Sequence, residues 1–137
     1  MEEIVIRVGD LRFRARFERE KSPETCAAFE RLLPFTSKVI QARWSGESAW
    51  VPLGDFDLGV GEEMSTTTPA PGEILFYPAG ISETEILFPY GQTSFASKFG
   101  PLAGNHFLTV IDGDAELEKL GELVVWRGAQ DIVFEAS

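Results

Sequence analysis

Arg43 and His106 are the two side chains of this sequence best suited to act on a polar ligand. Arg43 ends the largely apolar stretch "FTSKVIQARW", beside Trp44 and ahead of Trp50 on the return run. A guanidinium is planar and always charged, and it can grip a carboxylate or an amide carbonyl with two hydrogen bonds. The bland alternative is a surface cation stacked on tryptophan. His106 is the single histidine, so it alone has an ordinary pKa near 6.5. It follows Gly104 and Asn105, where backbone can approach a ligand closely, and it can serve as donor or general base. A hydrogen-bonded structural histidine competes equally with that role. Arg43 and His106 are expected to face one concave pocket as its catalytic pair.

Other residues can complete such a pocket. Lys98 lies between Phe95 and Phe99 in the glycine-rich run "FASKFGPLAGNHFLTV", placed to add positive charge from the tip of a loop. Trp50 supplies an aromatic wall opposite. Glu83 and Glu85 alternate on one strand face, roughly 7 Å apart by strand rise. Such a pair can do acid–base work, although it more often faces water or meets cations across a sheet. Tyr77 and Tyr90 sit at strand ends nearby and offer hydroxyls, and Asn105 offers an amide. One histidine and one cysteine make a poor transition-metal set, so neither metal nor cofactor is expected.

The elements that position these residues follow from periodicity. Ile4, Ile6 and Val8 alternate, Gly9-Asp10 turns, and Leu11 to Phe17 alternates back, a hairpin signature. Arg12, Arg14 and Arg16 then line the solvated strand face. "SPETCAAFERLLP" changes to helical spacing over Ser22–Leu33, with Ser22 as N-cap, Pro23 opening the helix and Pro34 stopping it. Cys26 falls on the apolar face and reads as core. "FTSKVIQARW" and "SAWVPL" are strands around a Ser45-Gly46-Glu47 turn. Residues 54–71 read as a mobile loop. "GEILFYP", "TEILFPYG" and "HFLTVI" are further strands. "DAELEKLGEL" reads as a short helix, and "VVWRG" and "DIVFEA" as closing strands. About eight strands with two short helices predict a mainly β fold, a closed antiparallel barrel over one domain, residues 1–137.

Bulk properties narrow the function classes. A chain of 137 residues with 44% hydrophobic and 25% charged residues can bury a core without staples. A net charge of −10 argues against nucleic acid and against anionic membranes. No apolar run approaches the roughly 18 residues of a bilayer span. The start "MEEIVIRVGD" resembles neither a signal nor a transit peptide. The single cysteine fits a reducing cytoplasm.

The opening hairpin, then "SPETCAAFERLLPF" with Pro23, Thr25 and Phe29, then a strand bearing arginine, resemble the first third of a cyclophilin. "NHFLTV" stands where cyclophilins carry a Gln-Phe-Phe strand. "GEILFYP…EILFPYGQT" is similar to the small bacterial cyclophilin-like families of unassigned function. The resemblance covers most of the chain and implies the same barrel. It also implies a small amide or carboxylate ligand, by analogy with related domains of enzymes that open cyclic amides. Arg43 could stand for the cyclophilin arginine. The His-Arg-x-Ile-Pro-Gly-Phe run is absent, however, and His106-Phe107-Leu108 replaces Gln-Phe-Phe, which weakens the implication of prolyl isomerisation.

Three functions stay open: binding, with or without turnover, of a small carboxylate or cyclic amide metabolite in a barrel-side pocket; peptidyl-prolyl isomerisation; or a non-catalytic interaction module using Trp44, Trp50 and Trp126. The expected partner is a small molecule, with self-association open.

Overall fold

Alternation along the first hairpin buries Ile4, Ile6 and Val8 against Phe13, Ala15 and Phe17, and leaves the arginines outside. Arg14 pairs there with Glu3 at 2.8 Å and Asp112 at 3.4 Å. The computed structural model describes all of residues 1–137. Its strands in chain order are β1 (Glu3–Val8), β2 (Leu11–Phe17), β3 (Phe35–Gln41), β4 (Gly46–Gly54), β5 (Ser65–Thr66), β6 (Glu73–Tyr77), β7 (Thr84–Thr93), β8 (Ala96–Ser97), β9 (Gly100–Pro101), β10 (Gly104–Asp112) and β11 (Gln130–Ala136). The helices are α1 (Pro23–Glu30) and α2 (Leu117–Arg127).

Eight strands run in the order β2-β1-β11-β3-β4-β7-β6-β10, and β10 pairs back onto β2 to close an antiparallel barrel. Closure leaves no free edge among these strands. Alternate residues fill the interior, with Phe13, Phe76, Phe88, Phe107 and Phe134 fully buried. Helix α1 adds Cys26 and Phe29, and Phe29 meets Phe107 and Phe134 edge-on at 5.1 and 5.2 Å between centroids. Helix α2 adds Leu117, Leu120 and Val124 to the same core.

A second apolar layer lies outside the barrel wall. Leu75, Tyr77 and Leu87 pack there with Phe95, Leu102, Ala42 and Trp50. The β8–β9 hairpin belongs to this layer: Leu102 N donates to Phe95 O at 3.0 Å across its base. Gly104 permits the close approach, because a Cβ there would stand 2.9 Å from Leu75 Cβ and 3.1 Å from the Phe95 ring.

Three local expectations are corrected. "VVWRG" is the end of α2 and not a strand, because Leu117, Leu120 and Val124 form one helical stripe against the core. Strand β3 stops at Gln41, so Arg43 stands in the β3–β4 turn and not on a strand. Ser22 precedes α1 but makes no side-chain cap, since its hydroxyl donates to His106 O at 2.9 Å. The first turn of α1 is served by Glu63, which accepts from Glu24 N and Thr25 N at 3.0 and 2.9 Å. That contact ties the 54–71 loop to the helix.

Candidate functional site

The outer layer encloses a cavity of about 210 Å³. By comparison with the ~30 Å³ that a water occupies in the liquid, this is room for a molecule of several non-hydrogen atoms. Four segments build it. The β3–β4 turn contributes Ala42, Arg43, Trp44 and Ser45, and β4 contributes Trp50. The start of β7 and the residues before it contribute Ser82, Glu83 and Glu85. The β8–β9 hairpin contributes Ala96, Ser97, Lys98 and Phe99.

Hydrogen bonds hold these segments in register. Ser45 Oγ donates to Ala96 O at 3.2 Å and accepts from Ala96 N at 3.0 Å, stitching the turn to the hairpin. Gln41 Nε2 donates to the carbonyls of Ala42 and Gly46 at 3.2 and 2.9 Å, bracing the turn that carries Arg43. Tyr90 donates to Gln41 Oε1 at 2.5 Å, and so supports the turn from behind while its ring packs on α2. Tyr77 lies beneath the cavity, edge-on to Phe95 at 5.9 Å, and its oxygen accepts from Ile81 N at 3.1 Å.

The cavity's two cations, Arg43 and Lys98, have no ion-pair partner. Arg43 and Lys98 are exposed and lie more than 4.0 Å from any carboxylate oxygen, although Glu83 and Glu85 share the cavity. Lys98 Nζ rests 5.1 Å from the Phe99 ring centre. Trp50 Nε1 is buried and makes no hydrogen bond. Glu85 is 6% exposed, and burial, seconded by the negative charge of Glu83, pushes its carboxyl up to about 8. The Trp50 indole acts on it in the opposite sense, though without forming a hydrogen bond of good geometry. Glu85 is therefore a neutral acid at pH 7.

His106 does not line this cavity, and the expected juxtaposition with Arg43 is corrected. Strands β7 and β6 stand between β4 and β10, about 14 Å of sheet at 4.8 Å per strand step. The register of β10 on β6 shifts between His106 and Leu108, and the His106 ring turns toward Lys21, Thr109 and Glu18. Lys21 Nζ can only donate, so His106 Nδ1 accepts at 3.3 Å. Nε2 then carries the proton and donates to Thr109 Oγ1 at 2.7 Å, and Thr109 donates to Glu18. Burial first, and Lys21 second, hold the imidazole below its ordinary pKa. Hydrogen bonding holds Glu18 below the usual carboxylate range, against the effect of burial, with Thr109 the main donor.

Asn105 also stands apart from the cavity. It accepts from Glu63 N at 2.8 Å and donates to Gly61 O and Thr25 Oγ1 at 2.9 and 3.1 Å, pinning the long loop to α1. Lys21, Glu18 and Glu63 were not singled out in the sequence, because nothing local marks residues whose partners lie 85, 91 and 42 positions away. No three His, Cys, Asp or Glu side chains cluster in a way that could hold a metal.

A family described as "Protein of unknown function (DUF3830)" matches residues 4–136. The chain belongs to that family. No curated protein matches it. Among solved structures, "Structure of McbB in complex with tryptophan" superposes with a TM-score of 0.74 at 18% identity, covering 98% of this chain and 44% of that one. The DUF3830 chain thus spans less than half the length of McbB. "Solution structure of the hypothetical protein AF2241 from Archaeoglobus fulgidus" superposes with a TM-score of 0.63 at 20% identity, covering 99% of this chain and 95% of that one. At these identities the likeness is one of fold. No helix of the DUF3830 chain is long and apolar enough to cross a membrane.

Proposed function

We propose that this DUF3830 protein binds a small molecule bearing a carboxylate or a cyclic amide in the cavity between the barrel wall and the β8–β9 hairpin. The observation that carries the reading is the pair of unpaired cations, Arg43 and Lys98, converging on one cavity with the buried Trp50 N–H. All three are donors, so the cavity asks for an oxygen acceptor. Trp44, Phe99, Ala42 and Ala96 supply apolar surface for the rest of the ligand. The side-of-barrel placement agrees with the resemblance to small cyclophilin-like families. The tryptophan named for McbB, a protein of like fold, is a small carboxylate and supports the reading by analogy. A single-domain, cytoplasmic protein remains part of this proposal.

The test is calorimetric titration with small carboxylic acids, with and without amino groups, and with lactams. Arg43→Ala should weaken binding of the best ligand by about 2–3 kcal/mol, roughly 30- to 150-fold, the loss of a charge-assisted hydrogen bond. Binding of no compound in the panel, or equal binding by wild type and Arg43→Ala, rejects the reading.

A further inference from the structure

Opposite charges share the cavity without touching. Glu83 and Glu85 come from β7 and its approach, whereas Arg43 comes from the β3–β4 turn and Lys98 from the β8–β9 hairpin. Side chains as long as these usually close onto one another when nothing separates them. Here the cations stay more than 4.0 Å from both carboxyl groups, and empty space lies among them. A simple anion would use Arg43 and Lys98 and leave Glu83 facing it with like charge. A simple cation would meet the converse repulsion.

We propose that the ligand is a zwitterion, an amino acid with an apolar side chain, its carboxylate held by Arg43, Lys98 and Trp50 Nε1 and its ammonium by Glu83 and Glu85. This rests on the reading of the cavity as a carboxylate site and narrows its ligand class. The side chain would lie against Trp44 and Phe99, which are 56% and 65% exposed at the mouth.

A proton balance follows. The groups facing Glu85 are Glu83 on its own approach, Tyr77 paired with it on β6, Trp50 on β4, Arg43 on the turn and Lys98 on the hairpin. With its carboxyl at about 8, Glu85 is protonated in the free protein at pH 7. An ammonium ligand favours the carboxylate, so the proton leaves to buffer as the ion pair forms. A ligand without the ammonium leaves that proton in place.

The experiment compares phenylalanine, hydrocinnamate and phenethylamine by calorimetry at pH 7 in two buffers of different ionisation enthalpy. Phenylalanine should bind at least about tenfold tighter than either truncated analogue. Its binding should release close to one proton at pH 7, and fewer as the pH rises toward 8 and Glu85 loses its proton beforehand. Glu85→Gln should lower phenylalanine affinity to about that of hydrocinnamate. Hydrocinnamate binding as tightly as phenylalanine, or unaltered phenylalanine binding by Glu85→Gln, overturns the zwitterion while the carboxylate site stands. Binding of none of the three overturns the zwitterion, and binding of phenethylamine alone overturns the carboxylate site with it.

Discussion

Trp50 and Glu85 stand on the same outer face of the β4–β7 ladder, one diagonal step apart: Trp50 pairs with Leu87, and Glu85 with Pro52. The wall of a barrel is an unfavourable place for a carboxylate, and this one keeps its proton to about pH 8. Below the ordinary value of 4.5, folded and unfolded chains both hold the proton. Between 4.5 and 8 the unfolded chain loses it and the folded chain does not, so stability falls as pH rises across that window. The slope is about 1.4 kcal/mol per pH unit, an upper total of roughly 5 kcal/mol. Glu85→Gln has no proton to lose. Denaturation at pH 5 and pH 8 should show the variant gaining several kcal/mol on wild type at the higher pH. An equal difference at both pH values would refute the buried neutral acid.

Gly121 offers a reversal of helix propensity. In an exposed helix, glycine to alanine gains about 1 kcal/mol. A Cβ on Gly121 would stand 2.3 Å from the Tyr90 ring, which is held by its bond to Gln41. Gly121→Ala should therefore destabilise by about 1–3 kcal/mol, the usual cost of overpacking. Since Tyr90 also steadies the turn bearing Arg43, ligand affinity should fall too. Adding Tyr90→Ala should make the alanine harmless. A stabilising Gly121→Ala would show that Tyr90 moves aside freely.

The barrel was legible wherever one strand face meets the core, because alternation at Ile4, Ile6, Val8 and Phe13, Ala15, Phe17 is a period of two that needs no distant information. "VVWRG" misleads because β-branched residues favour strands locally, and only the packing of Leu120 and Val124 on the core decides for a helix. The chemical types of Arg43, Lys98, Trp50, Glu83 and Glu85 were readable. Their shared cavity depends on a hairpin folding over the outside of the wall, and "SKFGP" hints at that through its turn residues. The setting of His106 was not readable. It depends on a register shift within β10 and on Lys21 and Glu18, which have no sequence pattern linking them to it.

Proline isomerisation should be absent or weak. Arg43 shares its cavity with Lys98, Glu83 and Glu85, and the Pro-Gly-Phe and Gln-Phe-Phe elements of a cyclophilin proline slot are absent from the sequence. An X-Pro peptide assay should give a rate within about twofold of the uncatalysed interconversion, which takes tens to hundreds of seconds. Strong catalysis abolished by Arg43→Ala would reinstate the isomerase reading.

Cys26 should be chemically silent in the native protein. Its side chain is fully buried, its thiol donates to Phe107 O at 3.3 Å, and burial pushes it up to about 12. The thiolate is the reactive form, so a thiol-specific reagent should modify Cys26 only as fast as the protein opens. Labelling should accelerate with denaturant in step with unfolding. Rapid labelling in native buffer would mean that α1 opens independently.

His106→Ala separates structure from chemistry. The imidazole bridges Lys21 to Thr109, and Thr109 passes the chain on to Glu18. The residue is 5% exposed, so its loss opens a gap beside the half-buried Lys21 and Thr109 and removes a hydrogen bond from each. The variant should lose about 1–3 kcal/mol of stability. With β7 and β6 between His106 and the Arg43 turn, carboxylate affinity in the cavity should stay within about twofold of wild type. Arg43→Ala should give the opposite pattern: an exposed, unpaired arginine contributes little to stability, and ligand binding should fall sharply. The pair of variants, read by denaturation and by titration on the same preparations, decides between one site and two. A His106→Ala protein of wild-type stability that binds tenfold more weakly would return the histidine to the ligand. In that case the hydrogen-bonded chain from Lys21 to Glu18 would be its proton path and not a structural tie.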